Sequence, residues 1–303
     1  MNNLNGILFV IASMAAFTME DMFIKRLSGE IPVGQILIML GFGSGAVFAA
    51  VALYKGDNLF APAAWRGAAI LRTLSEAVGA MAFASALAVV DISTVAAVFQ
   101  ALPLVITMGA ALFLGEQVGW RRWSAICVGF AGVLLIVRPG LDGFDPSVLL
   151  VLFAVLAIAA RDLLTRLVDT TVSSAVVSFQ AFASLIAAGG LLLAFTPGEA
   201  TAIDGRQALM MLGGIAFGVA GYYAIVVATR IGDASAITPF RYSRLLFSIL
   251  VGVLIFGERP DALTLAGATL IIGSGLYTFV RERRLVRRAQ RQARDIASGQ
   301  AAA

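Results

Sequence analysis

Ten long apolar segments divide this chain, and they limit its possible folds more than any other feature. They cover residues 4–24, 31–54, 67–89, 92–114, 122–137, 147–167, 172–195, 207–229, 234–256 and 262–280. A helix that crosses a bilayer needs about 20 apolar residues, and most of these segments have that length. The connections between them are short and contain glycine and proline, which interrupt helices. The sequence therefore predicts an all-α integral membrane protein with ten transmembrane helices.

Composition excludes most other classes of protein. Hydrophobic residues make up 60% of the chain and charged residues only 13%, whereas about a quarter of the residues in a soluble domain are charged. The chain contains no histidine and a single cysteine, Cys127. Histidine-bound metals and haem, a Ser-His-Asp triad and cysteine-ligated clusters are thereby excluded. We expect a protein that has no cofactor or metal and is not an enzyme.

The distribution of lysine and arginine predicts the orientation of the chain. With the N-terminus inside, the inner segments and the tail carry 13 of the 22 basic residues, and the outer segments carry five. Since basic residues are enriched in cytoplasmic segments, we expect both termini in the cytoplasm. The abundance of alanine and arginine, with only two lysines, is typical of a bacterium with a GC-rich genome, so we expect the chain in a bacterial inner membrane. Seven of the inner arginines lie between residues 281 and 294. This basic tail is expected to contact anionic lipid head groups rather than nucleic acid.

The second half of the chain repeats the first. A shift of 142 residues aligns Asp91 with Asp233, Ser93 with Ser235, and Leu112–Glu116 with Leu254–Glu258. Because each half holds five segments, an odd number, the second half must cross the membrane in the opposite orientation. Inverted repeats around a central site are typical of secondary transporters. We expect two inverted five-helix units, residues 1–140 and 141–280, around a central cavity, followed by the tail at 281–303.

The same residues indicate a family. They are Pro103, the motif at Leu112–Glu116, the glycines Gly129 and Gly132, and the repeated motif at Phe256–Glu258. With them the chain resembles the ten-helix EamA-type permeases of the drug/metabolite transporter superfamily over nearly its whole length, the tail excepted. The resemblance implies two inverted five-helix units around a cavity and the export of small organic solutes. Within the family, the chain is similar to bacterial exporters of amino acids, including aromatic ones, and of other metabolites.

Charged residues within the apolar segments are the first candidates for a substrate site. They are Glu20, Asp21, Arg72, Glu76, Arg161, Asp162, Arg241 and Arg244. Each costs about 2.5–3.5 kcal/mol to insert at the bilayer centre, so each is expected to face protein or water. Arg72 and Glu76 share a helix face and either pair with each other or contact substrate. Glu20 and Arg161 occupy equivalent repeat positions with opposite charge, which predicts a salt bridge between the halves.

Arg241 is the main candidate for contact with a substrate. It lies about 10–12 Å inside the ninth segment, close to the bilayer midplane, and Arg244 follows on the same face. Pro239 cannot donate a backbone hydrogen bond, so a regular helix is not expected there. A guanidinium binds a carboxylate through two parallel hydrogen bonds. The alternative is an internal ion pair of Arg241 with Asp162 or Glu76.

Uncharged residues complete the predicted site. They are Phe17, Gln100, Gln180, Tyr222, Tyr223 and Tyr242. The tyrosines lie inside the segments, away from the interface where tyrosine is common. These residues suit a cavity for an apolar or aromatic group, or they pack in the core with their polar atoms bound to backbone. Glu116 and Glu258 each follow a glycine at the end of an apolar segment, and we expect them to fix the geometry of the loop that begins there.

Together these features predict a secondary transporter that exports small organic solutes, most of all amino acids, by alternating access of its two halves. No nucleotide-binding motif is present, so ATP is not expected to drive it directly. Proton coupling through Glu20, Asp21, Glu76 or Asp162 and simple facilitated transport both fit. The alternatives are a carrier of drugs, nucleosides or nucleotide sugars and, more remotely, an intramembrane enzyme.

Overall fold

The computed structural model describes residues 3–116, 118–140, 144–169, 171–196, 199–231 and 237–301. Within these ranges the regular structure is helical. The helices are α1 (Asn3–Ser28), α2 (Val33–Tyr54), α3 (Ala68–Val89), α4 (Ile92–Phe99), α5 (Leu102–Phe113), α6 (Trp120–Val137), α7 (Val148–Thr165), α8 (Ser174–Phe195), α9 (Gly205–Ile231), α10 (Ser243–Phe256) and α11 (Ala262–Ala301). Two 3₁₀ turns, Pro62–Trp65 and Thr238–Tyr242, complete the set.

Within the described part of the chain, ten segments are long and apolar enough to cross a membrane. The fourth span consists of α4 and α5, and the ninth consists of the second 3₁₀ turn and α10. Large apolar side chains cover the outside of the bundle: Phe113 is 81% exposed and Phe195 is 83% exposed. Such exposure suits contact with lipid and would be costly in water. The predicted ten-span membrane architecture is confirmed.

The helices pair in the same order when the two halves are exchanged. The first span, α1, packs along the eighth, α9, and its repeat counterpart α7 packs along α3, the counterpart of α9. The second and seventh spans, α2 and α8, pack against each other, as do the fifth and tenth, α6 and α11. This is the pairing expected of two like five-helix units related by a two-fold axis.

Glycine allows the two pairs that lie across this axis to approach closely. A Cβ atom on Gly34 would lie 2.5 Å from the backbone oxygen of Gly189, and a Cβ on Gly189 would collide with the oxygen of Gly34. A Cβ on Gly132 would lie 2.6 Å from the backbone oxygen of Gly267, and the reverse distance is 2.5 Å. No side chain fits at either crossing, so the two halves contact each other through backbone.

The fourth and ninth spans are interrupted at equivalent positions. α4 gives way to α5 at Gln100, and the 3₁₀ turn gives way to α10 at Tyr242. These two residues superimpose when the chain is shifted by 142 residues. Pro103 and Pro239 lie beside the breaks and remove backbone donors from them. The irregularity expected at Pro239 is confirmed, and the break at Gln100 is a second one that the sequence argument missed.

The basic tail continues α11 as far as Ala301. Of its seven arginines, Arg281 and Arg284 have described side chains. The other five, Arg283, Arg287, Arg288, Arg291 and Arg294, lie outside the described side chains. The repeat residues Asp233 and Ser235 lie outside the described residues altogether.

Candidate functional site

A cluster of ion pairs joins α3 to α7 inside the bundle. The Glu76 carboxylate accepts a hydrogen bond from Arg72 Nη2 at 3.1 Å and from Arg161 Nη1 at 3.0 and 3.1 Å. Arg161 Nε also donates to Asp162 Oδ1 at 2.8 Å. The pairing of Arg72 with Glu76, one of the two roles that the sequence left open, is present. Glu76 is therefore shared between arginines of both halves.

Arg72 has further partners that hold it in place. Its Nη1 donates to the backbone oxygen of Val177 on α8 at 3.3 Å, and its Nε donates to Thr165 Oγ1 on α7 at 3.4 Å. The side chain is only 8% exposed. Because its donors face three different helices, Arg72 stabilises the packing of α3 against α7 and α8. It offers little to a substrate.

A second ion pair joins α1 to α10. Arg244 Nη2 donates to Asp21 Oδ2 at 2.6 Å, and both side chains are largely buried. The guanidinium also lies over three aromatic rings, with centroid distances of 5.6 Å to Phe17, 5.7 Å to Phe83 and 5.5 Å to Phe99. Aromatic faces attract cations through their quadrupole. Arg244 is thus held by one carboxylate inside a wall of rings from α1, α3 and α4.

Glu20 is placed differently from the other embedded carboxylates. Within the described residues it forms no ion pair. Its Oε1 packs against Gly218 of α9, where an added Cβ would lie 2.5 Å from it. Arg161 is instead bound to Glu76 and Asp162. The salt bridge expected between Glu20 and Arg161, which would form or break as the halves move, is therefore not formed in this structure. A shift of 142 residues places Glu76 on Gly218, so the equivalent interface holds a glycine where the first holds a carboxylate.

Arg241 lies in the 3₁₀ turn and is exposed. Among the described residues it makes no ion pair, although Asp162 and Arg161 both act on its charge at longer range. Neither internal pair that the sequence left open, with Asp162 or with Glu76, is formed. The turn packs against α1, the helix that carries Glu20. Arg241 and Glu20, which form no ion pair in the described part of the chain, therefore lie on neighbouring elements.

The uncharged candidates divide into structural residues and residues near the breaks. Tyr222 Oη bonds Ser178 Oγ at 2.6 Å, and Gln180 donates to the backbone oxygen of Ala64, so both pack in the core. Tyr223 is 66% exposed and is not brought to the charged residues.

Two uncharged candidates lie at the repeat-related breaks. Gln100 is 9% exposed at the interruption of the fourth span. Tyr242 places its hydroxyl against Gly275 of α11, where a Cβ would collide with it. Both residues therefore sit where the helical backbone is irregular.

At one end of the bundle, Lys25, Ser93 and Glu258 form a buried junction, called the Glu258 junction below. The Glu258 carboxylate accepts hydrogen bonds from Ile92 N at 2.7 Å, Ser93 N at 3.1 Å and Ser93 Oγ at 2.7 Å. Lys25 Nζ lies 3.9 Å from it and donates to two carbonyls at the end of α3, at 2.6 and 3.2 Å. A carboxylate at a helix N-terminus is favourable because it satisfies free N–H groups. Glu258 thus caps α4 of the other half.

The repeat counterpart, called the Glu116 junction below, has the same backbone. Gly115 and Gly257 both adopt a φ of +68°. The amide of the glutamate that follows bonds back to the preceding helix in each case, at 3.2 Å for Glu116 and 2.9 Å for Glu258. The role in loop geometry expected for the two glutamates is present at both sites.

The side chains of the two junctions differ. Glu116 Oε1 accepts from Arg166 Nη1 at 2.7 Å, and the two side chains are 47% and 50% exposed. Arg166 is the counterpart of Lys25 at a shift of 141 residues. A cation and a carboxylate thus recur at both junctions. The pair is buried against the end of a helix at the Glu258 junction and exposed at the Glu116 junction.

The profile of the EamA-like transporter family matches residues 4–138 and 145–280. The chain belongs to this family. The riboflavin transporter of Rhizobium johnstonii is 32% identical over 225 residues, which cover 74% of this chain and 73% of that protein. The S-adenosylmethionine uptake transporter of Rickettsia prowazekii is 26% identical over 281 residues, 93% and 94% of the two chains. A crystal structure with 21% identity covers 90% of this chain and 98% of its own at a TM-score of 0.57, which shows a shared fold.

This EamA-family protein is a multi-pass membrane transporter, as the sequence predicted. The two relatives are named for transport of riboflavin and S-adenosylmethionine, not for amino-acid export. Sequence reasoning missed the partner of Arg244, which is Asp21, and the two rings Phe83 and Phe99. It also missed that Glu258 reaches the start of α4, although the recurring Asp-x-Ser and Gly-Glu motifs lie at these two places.

Proposed function

We propose that this EamA transporter carries a small metabolite that combines an amino-acid group with a flat ring, of the S-adenosylmethionine type. The observation that carries the proposal is the exposed guanidinium of Arg241, which forms no ion pair with the residues that the structure describes and lies three residues before the ring-lined Arg244. Plain amino acids, the substrates first expected from the sequence, are the smaller members of the same chemical class.

The charges suit a zwitterion with an additional cationic centre. Arg241 offers a carboxylate two parallel hydrogen bonds. Glu20, on the helix packed against the Arg241 turn, offers a carboxylate to an ammonium or sulfonium group. The rings of Phe17, Phe83 and Phe99 offer an apolar wall for a heterocycle. Such a site uses few polar groups to orient a largely apolar ligand.

Riboflavin is the second candidate. It is favoured by the 32% identity to a riboflavin transporter and by the aromatic wall. Riboflavin has no carboxylate, so Arg241 would donate instead to the carbonyl oxygens of its ring system. The two candidates therefore differ in how much they depend on the charge of Arg241.

Transport proceeds by alternating access, in which residues 1–140 and 141–280 are the two moving units. The protein lies in the bacterial inner membrane, and its tail, residues 281–303, lies in the cytoplasm. In that orientation the Glu258 junction lies on the outer side and the Glu116 junction on the inner side. The buried Glu258 and the exposed Glu116 support a closed outer side and an open inner side. A carrier of this kind runs in either direction, so export and uptake depend on the gradients.

Uptake into proteoliposomes tests this proposal. Labelled S-adenosylmethionine, riboflavin, tryptophan and leucine are compared for the wild type, Arg241→Ala and the loop control Arg259→Ala. We expect saturable uptake of S-adenosylmethionine that Arg241→Ala lowers about 10- to 100-fold, because hydrogen bonds to a charged group contribute about 1.5–3 kcal/mol. The control should transport normally.

Each other outcome has a defined meaning. Uptake of S-adenosylmethionine that survives Arg241→Ala contradicts the site. Uptake of riboflavin alone replaces the first substrate with the second. Uptake of tryptophan and leucine without the larger solutes returns the substrate to plain amino acids. Absence of uptake for all four solutes, by folded protein, contradicts the substrate class.

A further inference from the structure

A groove opens on the outside of the bundle where α11 leaves the tenth span, beside the start of α6. Its volume is about 550 Å³. The residues that line it are Arg121, Gly273, Leu276, Tyr277, Val280, Arg281 and Arg284. None of these seven is acidic. The groove lies away from the candidate substrate site, since none of its residues belongs to the charged clusters of α1, α3, α7 and α10.

The lining changes from apolar to basic along α11. Residues four apart lie on one face of a helix. One row runs from Gly273 through Tyr277 to Arg281, and a second row runs from Leu276 through Val280 to Arg284. Both rows therefore begin with small or apolar residues and end with arginine. A ligand that fills the groove needs an apolar part and an anionic part, in that order along the helix.

The change in lining coincides with the membrane boundary. The tenth span ends at Arg281, so the arginines lie at head-group level and the apolar residues at the level of the acyl chains. Trp120 begins α6 at the same boundary, and Arg121 lies over its ring at 5.2 Å. Tyr277, half exposed, is the aromatic residue on the facing helix. Tryptophan and tyrosine are enriched at this depth.

We propose that this groove is a binding site for an anionic phospholipid. Arg121, Arg281 and Arg284 bind the phosphate, since guanidinium groups bind phosphate oxygens in pairs. One acyl chain lies along Gly273, Leu276 and Val280. Basic pockets between transmembrane helices are suited to anionic head groups. Free phosphate would leave the apolar rows uncovered, so the lipid is the ligand that uses the whole groove.

The lipid would connect the two halves of the transporter. Arg121 belongs to the fifth span and Arg281 to the tenth, the pair that crosses at Gly132 and Gly267. A phosphate held between them adds an attraction across this crossing at its cytoplasmic end. We therefore expect the lipid to raise thermal stability, whether or not substrate is present. The site does not depend on the proposed substrate.

Lipid binding to the purified full-length protein in detergent tests the proposal. Phosphatidylglycerol, phosphatidylcholine and inorganic phosphate are titrated separately, with bound lipid counted by native mass spectrometry and unfolding followed by temperature. We expect phosphatidylglycerol to bind and stabilise, and the other two to have little effect. Arg121→Gln/Arg281→Gln/Arg284→Gln should weaken binding about 100-fold, because each basic residue near an anionic surface contributes about 1 kcal/mol.

Two variants separate groove binding from a general charge effect. Arg287→Gln/Arg288→Gln/Arg291→Gln removes the same charge from the part of the tail beyond the groove and should weaken phosphatidylglycerol binding much less than the groove variant does. Gly273→Phe keeps every arginine and places a ring in the open space beside Gly273; it should also weaken binding. Equal binding by both triple variants, equal affinity for both lipids, or saturation by phosphate alone would overturn the proposal.

Discussion

The Glu258 and Glu116 junctions have the same backbone and nearly opposite surroundings. Glu258 is 7% exposed and accepts three hydrogen bonds at the N-terminus of α4. Glu116 is about half exposed and binds only Arg166 among the described residues. Since the two glutamates follow glycines with the same backbone conformation, the local turn is the same. The difference lies in what each carboxylate reaches: the end of α4 for Glu258 and the side chain of Arg166 for Glu116.

A second pair of equivalent positions differs in the same way. Glu76 faces Arg161 where α3 packs on α7, whereas Gly218 faces Glu20 where α9 packs on α1. The first interface is closed by an ion pair and the second leaves a carboxylate without a cation in the described structure. The comparison teaches that the repeat preserves backbone and helix order, whereas the ion pairs at equivalent interfaces differ.

The largest expected effect is at Glu76. Glu76→Ala leaves two arginines inside the bundle without their shared carboxylate, and breaking a buried ion pair costs about 3–5 kcal/mol. We expect a loss of this size in the free energy of unfolding, measured by denaturant titration in detergent micelles. The matched variant Glu20→Ala removes a carboxylate from the equivalent interface. It should leave unfolding nearly unchanged and reduce uptake of a cationic substrate; a similar loss of stability in both variants would contradict the comparison.

A smaller effect is expected at the Glu258 junction. Glu258→Ala frees the three donors of α4, and loss of hydrogen bonds to a charged group costs about 3 kcal/mol. The outer side should then open more often. A cysteine at Val90, which is 4% exposed beside Lys25, reports this through its rate of modification by an impermeant thiol reagent in a Cys127→Ser background. We expect that rate to rise about 100-fold, because a loss of about 3 kcal/mol raises the population of the open state by about that factor.

Glu116→Ala is the control for that experiment. An exposed ion pair contributes about 0.2–1 kcal/mol, so the rate at Val90→Cys and the stability should stay close to those of the parent. If Glu116→Ala opens the outer side as much as Glu258→Ala does, the two junctions are not in opposite states.

The smallest effect concerns Asp261, in the loop that follows Glu258. Its hydrogen bonds from Arg138 and from the Thr264 amide lower the pKa of Asp261 to about 2. Because the pKa is lower in the folded protein, the stabilisation is fully present above about pH 4 and is lost as the pH falls towards 2. Asp261→Asn should cost less than about 1 kcal/mol at pH 7, since the pair is solvent-screened. The difference in melting temperature between wild type and variant should disappear between pH 4 and pH 2; a constant difference would assign the effect to packing.

Part of the candidate site followed from the sequence because helices place residues four apart on one face. That rule was enough for Arg72 and Glu76, which form their pair. The same kind of reasoning failed for Glu20 and Arg161. Equivalent residues of two repeats meet only when they lie close to the symmetry axis, and here α1 packs along α9 while α7 packs along α3.

The sequence by itself determined the ten spans, the family and the glutamates that end two of the spans. The length of an apolar segment is a local property, set against the thickness of the bilayer. The tertiary structure decided which charges meet: Asp21 with Arg244, 223 residues apart, and Glu258 with Ser93, 165 residues apart. Such contacts depend on which helices pack together and at what height, and no single segment carries that information.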